Sequence, residues 1–281
     1  MPSARRRLVG THLFLLLVGA YMAMPLLYMV STAFKPLDEM FLFPPRFLVM
    51  HPTLSNFGDL FTAMAGTIVP PLRYLFNSVL VTVTTVGLIM AIQSMAAYPL
   101  ARHRFPGRAL ITVLTMAAFM FAAQVTTIPR FLVVNALRLT DTYAALIIPT
   151  LAQPFMVFLL TNYMAQVPES LLEAARIDGA GGWFIYRRIM IPMVKPALFT
   201  VLILTFIQVW FDSFTPMIYL RREVLKTLPL MLSTIGGGAG TVARTGAVGA
   251  STLLTALPSI VIFVLVQRNV LQTMAHSGIK E

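Results

Sequence analysis

Long apolar runs alternate with short polar segments along this chain. A helix needs about 20 largely apolar residues to cross a bilayer. Six runs reach that length: Leu8–Ala33, Tyr74–Ala97, Ala109–Pro129, Tyr143–Tyr163, Ala197–Leu220 and Gly246–Val266. The pattern predicts an all-α, polytopic membrane protein with six transmembrane helices, read as a single transmembrane domain over residues 1–281. An even number of spans places both termini on one side. The first run follows Arg5-Arg6-Arg7, which also suits the basic start of a signal peptide. It is too long for a signal peptide's apolar core and lacks a clear small-x-small cleavage site, so an uncleaved anchor is expected.

The polar segments differ in kind. Residues 34–73 carry Pro36, Pro44, Pro45, Pro52, Pro70 and Pro71, which predicts an irregular loop packed on the outer surface. The run Gly236-Gly237-Gly238-Ala239-Gly240 has neither a preceding strand nor a following Lys and Ser/Thr, so it reads as a flexible loop and not as a phosphate cradle. Residues 164–196 instead look helix-forming. Pro168 suits a first helical position, Glu169 complements the positive end of the helix dipole, and Gly179 can take the left-handed conformation that ends a helix. Leu171, Leu172, Ala175 and Ile177 supply apolar contacts. A second short helix is expected over about residues 182–191, before Pro192 and Pro196 lead into the fifth span. Taken alone, the segment reads equally as an amphipathic connector lying on the membrane or as a docking element for a partner.

Composition agrees with the pattern. Hydrophobic residues make up 58% of the 281 and charged residues 11%, against about 25% charged in soluble domains. Cysteine is absent, which excludes disulfides and thiolate metal sites. The net charge of +11 lies between apolar spans and not on one soluble face. It therefore points to anionic lipid headgroups, not to nucleic acid. With the termini inside, the inner segments hold twelve of the Lys and Arg residues, led by Arg5–Arg7, and the outer segments nine. This bias predicts both termini, and residues 164–196 with them, in the cytoplasm.

Polar groups within spans are candidates for a path through the membrane. Asp212 is the one acid in a span, and Gln208 lies four residues earlier on the same helical face. Gln93 and Gln153 extend the set, beside Gln124 and Asn162. Each amide is equally read as a cross-link between helices, and Asp212 as an outer-end residue that is solvated or paired with Arg221 or Arg222. Aromatic residues such as Phe206, Trp210 and Phe214 suit either sugar faces or core packing. His12, His51, His103 and His276 are scattered over separate segments, so no metal site and no hydrolase arrangement is expected. No Gly-x-x-x-x-Gly-Lys-Ser/Thr motif is present, so a nucleotide-driven process would draw its energy from a partner.

Glu173, Ala174, Ala175, three residues, Gly179, nine residues, Ile189, one residue, Ile191 and Pro192 resemble the EAA motif of ABC importer permeases. Among these the chain is most similar to the binding-protein-dependent carbohydrate-uptake group. Further likenesses are Ser31 to Lys35, Leu54 to Phe57, Asn77-Ser78, Ala96 to Arg102 with Phe105-Pro106-Gly107, and Trp210 to Pro216. Phe211 departs from the family's usual Asn, and the chain ends on Glu281 in place of Gly. The resemblance implies the type I permease fold, with the segment over 164–196 as a coupling element. Glu173, Ala174, Ala175 and Gly179 would dock on an ATP-binding subunit, with Arg176 and Asp178 at the rim and Ile189 and Pro192 completing the motif. The tail Ser277, Gly278, Ile279 and Lys280 would also reach that subunit. The implied partners are a second homologous permease, two ATP-binding subunits carrying ATP and Mg, an extracytoplasmic solute-binding protein and membrane lipid. The chain itself would hold no cofactor and be no enzyme. It would lie in the cell membrane of a prokaryote and import a sugar or oligosaccharide. The alternatives are a glycerol phosphate or polyol cargo, an ion-coupled secondary transporter, which calls for paired intramembrane charges and inverted repeats, and a membrane enzyme, which calls for clustered catalytic residues.

Overall fold

The computed structural model describes residues 2–66, 68–121, 123–236 and 245–277. All regular structure among the described residues is helical. The chain begins with α1 (Pro2–Phe34), α2 (Leu37–Met40), α3 (Ser55–Ala65) and the 32-residue α4 (Pro71–Arg102). Next come α5 (Arg108–Met120), α6 (Ala123–Ala136), α7 (Tyr143–Ile147), α8 (Pro154–Ala165), α9 (Glu169–Ile177) and α10 (Gly182–Ile185). A π-helical turn over Tyr186–Met190 leads into α11 (Ile191–Met193) and α12 (Lys195–Trp210), then α13 (Phe214–Tyr219), α14 (Leu228–Gly236) and α15 (Thr245–Ser277).

Three stretches are single helices long and apolar enough to cross a membrane: Leu8–Phe34, Pro71–Arg102 and Thr245–Gln267. Three more spans arise if bent pairs are each taken together: Arg108–Met120 with Gln124–Ala136, Tyr143–Thr150 with Pro154–Ala165 (bent by 45°), and Gly182–Met193 with Lys195–Trp210 (bent by 75°). The expected fourth run is broken where Pro149 and Pro154 lack the amide hydrogens that a continuous helix needs. The expected fifth run stops at Trp210. There Asp212 turns the chain by accepting a hydrogen bond from the Thr215 backbone amide at 2.9 Å. Threonines inside the helices mostly bond the carbonyl four residues back, as Thr32 does to Tyr28 at 2.8 Å and Thr161 to Val157 at 2.7 Å. A hydroxyl paired in this way can face lipid.

The chain divides into two compact units: Met1–Pro71 with Met231–Leu257, and Leu72–Leu230 with Pro258–Glu281. In the first unit the Pro-rich segment is ordered by buried polar groups. Asn56 donates to the carbonyls of Ala33 (3.0 Å) and Lys35 (2.8 Å), joining the Ser31–Lys35 and Leu54–Phe57 stretches. The Lys35 ammonium donates to the Arg46 carbonyl at 2.6 Å. Glu39 accepts from the Met50 and His51 amides at 3.0 and 2.9 Å. These bonds, led by the one from Met50, hold its carboxyl below the ordinary carboxylate value against the opposing effect of burial. Gly249 of α15 lies so close to α1 that an added Cβ would stand 2.9 Å from the Thr32 carbonyl oxygen. Only a glycine permits that approach.

In the second unit, Tyr98 of α4, Leu160 and Met164 of α8, Leu172 of α9, Ile185 and Tyr186 share one apolar core with Met190 and Val201. Leu172 is fully buried although the rest of its helix, Ala175 apart, is exposed. Burial of one such side chain contributes about 2–3 kcal/mol. This is what seats α9 against the apolar helices.

Candidate functional site

The segment 164–196 contains two short helices joined by a glycine turn. Pro168 stands at the N-cap of α9, one place before its expected first helical position, and Glu169 opens the helix. Gly179 has φ +82°. The Ala180 amide donates to the Ala175 carbonyl at 2.9 Å and the Gly179 amide to Arg176 at 3.0 Å. These two bonds form the Schellman stop that left-handed glycine makes possible. Glu173, Ala174, Arg176, Asp178 and Gly179 are exposed on α9 and its end, while Ala175 packs partly against the core. Leu172 and Ala175 face inward as expected, but Ile177 is 85% exposed and Leu171 is also exposed. The outer face of α9 is thus a small, mixed surface of charge, alanine and isoleucine. Ile189 lies within the π-helical turn and packs against the core; Pro192 is exposed in α11.

A polar cavity of about 470 Å³ lies elsewhere in the second unit. Gln208, Asp212 and Gln153 all line it, together with Arg130, Thr215 and the rings of Phe119, Phe155 and Trp210. Gln208 is exposed to it, and Asp212 and Gln153 are half-buried. Gln93 does not line it; it is buried and donates to the Leu151 carbonyl at 2.5 Å, a link between helices. Asn162 bonds back to the Phe158 carbonyl at 2.9 Å. Phe206 and Trp210 stack with ring centroids 5.7 Å apart, and both are buried. Arg130 and Gln124 line a second cavity of about 610 Å³ with Phe214 and Tyr219, so Arg130 faces both spaces. The charge pattern of the sequence places Arg130 in an outer segment. A single basic residue beside a proline carries no signal that it faces a cavity.

The connecting segment over residues 220–228 is pinned to α4 and its neighbours by side chains. Asn77, fully buried, donates to the carbonyls of Val224 (2.7 Å) and Lys226 (2.8 Å) and accepts from the Tyr143 hydroxyl (2.7 Å). The Leu228 amide donates to the Ser78 hydroxyl at 2.7 Å, and the Tyr74 hydroxyl donates to Glu223 at 2.9 Å. Burial pushes the Glu223 carboxyl up, but the bonds from Lys226 and Tyr74 outweigh it and leave the group below its ordinary value. Arg222 pairs with Asp141 at 2.7 Å, which replaces the pairing with Asp212 considered from the sequence. The Asp141 carboxylate also accepts from the Arg222 and Arg221 amides. These bonds, the one from Arg222 foremost, hold it below the ordinary carboxylate value. The strap supplies Thr227 to the wall of the polar cavity.

Gly278, Ile279 and Lys280 lie outside the described residues, as does the glycine run from Gly237 to Gly240; Ser277 is the last residue of α15. Among the described residues no three His, Cys, Asp or Glu side chains cluster as metal ligands do.

Residues 83–276 match the model of the family described as binding-protein-dependent transport system inner membrane component. The chain is 32% identical over 278 residues to a probable ABC transporter permease protein, YurM, of Bacillus subtilis (strain 168), covering 97% of this chain and 88% of that protein. It is 30% identical over 262 residues to the arabinooligosaccharides transport system permease protein AraQ of Halalkalibacterium halodurans, covering 91% of this chain and 90% of that protein. Its fold matches a chain of a bacterial ABC transporter involved in the import of the acidic polysaccharide alginate, with a TM-score of 0.79 at 24% identity over 95% of this chain and 98% of that one.

Proposed function

Because the chain belongs to the family of binding-protein-dependent transport system inner membrane components, we propose that it is the permease subunit of an ATP-driven importer that moves a sugar or oligosaccharide into the cytoplasm. The exposed helix α9, with its small residues and its Gly179 stop, carries this reading. It is a rigid surface knob fixed to the membrane helices by Leu172 and open to a partner on its other face. One of two ATP-binding subunits would dock there, and the pair would hold ATP and Mg, so the hydrolysis belongs to them. A second permease would complete the path, and an extracytoplasmic solute-binding protein would deliver the cargo. The termini and α9 would face the cytoplasm of a prokaryotic cell, as the charge bias along the sequence favours.

The sugar class is supported by two things. One is the printed role of the arabinooligosaccharide relative. The other is the cavity itself. Amide and carboxylate groups of Gln208, Gln153 and Asp212 can hydrogen-bond hydroxyls, and flat aromatic walls can lie against sugar rings. Asp212 and Arg130 are its two charged lining residues, opposite in sign. This suits a neutral cargo better than glycerol phosphate, and it gives no paired acids for ion coupling.

The test is reconstitution of the complete complex in vesicles with ATP on the cytoplasmic side and loaded binding protein on the other. Uptake should need both and should persist when a protonophore collapses the proton gradient. Uptake that dies with the gradient while ATP remains would favour a secondary transporter. The path itself is tested by Asp212→Asn, which keeps an oxygen to accept the Thr215 amide and removes the charge. Uptake should drop about tenfold, the effect of losing one hydrogen bond to a charged group, with an unchanged melting temperature. Wild-type uptake kinetics would discard Asp212 as a cargo contact.

A further inference from the structure

We infer that Arg102 is a positioning residue: its guanidinium ties α9 to the ends of α4 and α8, and through it a displacement of α9 reaches the membrane helices. This rests on the permease reading above, and it adds the route by which force would leave the docking surface. Arg102 is the last residue of α4, and its side chain is only 7% exposed. One terminal nitrogen donates to Glu169 Oε2 at 2.9 Å. The other donates to the Met164 carbonyl at 2.6 Å and to the Val167 carbonyl. Met164 belongs to the last turn of α8, Val167 to the turn that follows, and Glu169 is the first residue of α9. A planar fork of donors thus holds three chain segments in one fixed geometry, which a lysine point charge cannot reproduce. The cationic head also complements the negative end of the α8 dipole.

The other oxygen of Glu169 accepts from Arg176 at 3.2 Å, and Arg176 sits on the proposed docking face. A continuous set of charge-assisted bonds therefore runs from that face through Glu169 to Arg102. From Arg102, α4 extends about 48 Å at 1.5 Å per residue. Near its other end stand Asn77 and Ser78, which hold the strap over residues 224–228. The clamp and the strap share one helix. Packing of Leu172 in the core would seat α9 without Arg102, but apolar contacts slide, whereas the fork has a single register.

The experiment uses the complete complex in vesicles, with Arg102→Gln, Arg102→Lys and Glu169→Gln variants. The readouts are recovery of the ATP-binding subunits, basal ATP hydrolysis, stimulation by loaded binding protein, and sugar moved per ATP. Arg102→Gln should assemble and keep its basal hydrolysis, while stimulation and sugar moved per ATP fall about tenfold, the effect of losing a hydrogen bond between charged groups. Glu169→Gln should be intermediate, because its amide oxygen still accepts one donor, and Arg102→Lys should restore part of the loss. Wild-type sugar per ATP in Arg102→Gln overturns the inference. If that variant fails to accumulate, wild-type sugar per ATP in Glu169→Gln overturns it equally. A wild-type complex without ATP-dependent uptake rejects the permease reading instead, so the two failures are told apart.

Discussion

Gly179→Leu should leave the chain inserted in the membrane and reduce capture of the ATP-binding subunits below detection, with uptake lost in parallel. Two effects combine at this position. The backbone has φ +82°, a conformation that costs a residue with a Cβ about 1–2 kcal/mol. That strain acts on the two bonds, from Gly179 and Ala180, that close the end of α9. The second effect is steric. Beyond its chain neighbours no atom lies within 4 Å of where a Cβ would stand, so the new side chain starts in open space and the protein should still fold. It projects instead from the face on which the partner is proposed to sit. Gly179→Ala carries the strain without the bulk and should give an intermediate loss. Pull-down of the ATP-binding subunits from detergent extracts measures both variants. Normal recovery with the leucine variant would remove this face from the interface.

Asn77→Leu should destabilise the second unit more than any single surface change. The side chain is fully buried and serves three partners: the carbonyls of Val224 and Lys226 and the hydroxyl of Tyr143. Leucine has the same branching and number of side-chain heavy atoms but is larger, so all three groups lose their partner and some overpacking is added. Each buried polar group left unpaired costs about 1–3 kcal/mol, which puts the total for three on the order of 3–9 kcal/mol. The melting temperature in detergent should fall by about 10 °C or more, and residues 221–227 should become open to proteolysis. Tyr143→Phe removes a single donor and should cost about 1 kcal/mol. A midpoint within about 2 °C of wild type for the leucine variant would mean that Asp141, Ser78 and Tyr74 hold the strap without Asn77.

The apolar runs made the all-helical membrane fold legible, with three runs found as single helices and three as bent pairs, because lipid imposes a length and a composition that single residues cannot disguise. The short helices α9 and α10 were legible too, since their helix signals and the Gly179 stop are local. The breaks were less so. Pro149 and Pro154 announce the interruption in the fourth run, but the stop after Trp210 depends on the Asp212 turn, which hydropathy hides inside an apolar stretch. Long-range polar pairs were out of reach. Asp141 and Arg222 are 81 residues apart, and Asn77 and Lys226 are 149 apart, with no periodicity to connect them. The amides show the same limit from the other side. Gln93 and Gln153 look alike in the sequence, yet one bonds the backbone at the break before α8 and the other faces a cavity. What separates them is direction, which only the packed structure supplies.

The π-helical turn over Tyr186–Met190 bears on how this chain can change over generations. A π turn holds an extra residue relative to an α turn. Deleting one residue there would let the helix close up into regular α geometry with little change downstream, because the surplus residue is the one removed. The same deletion within a regular α turn would rotate everything downstream by about 100°. The π turn is therefore a place where a change of one residue in length is taken up locally, and the elbow into α12 keeps its aim.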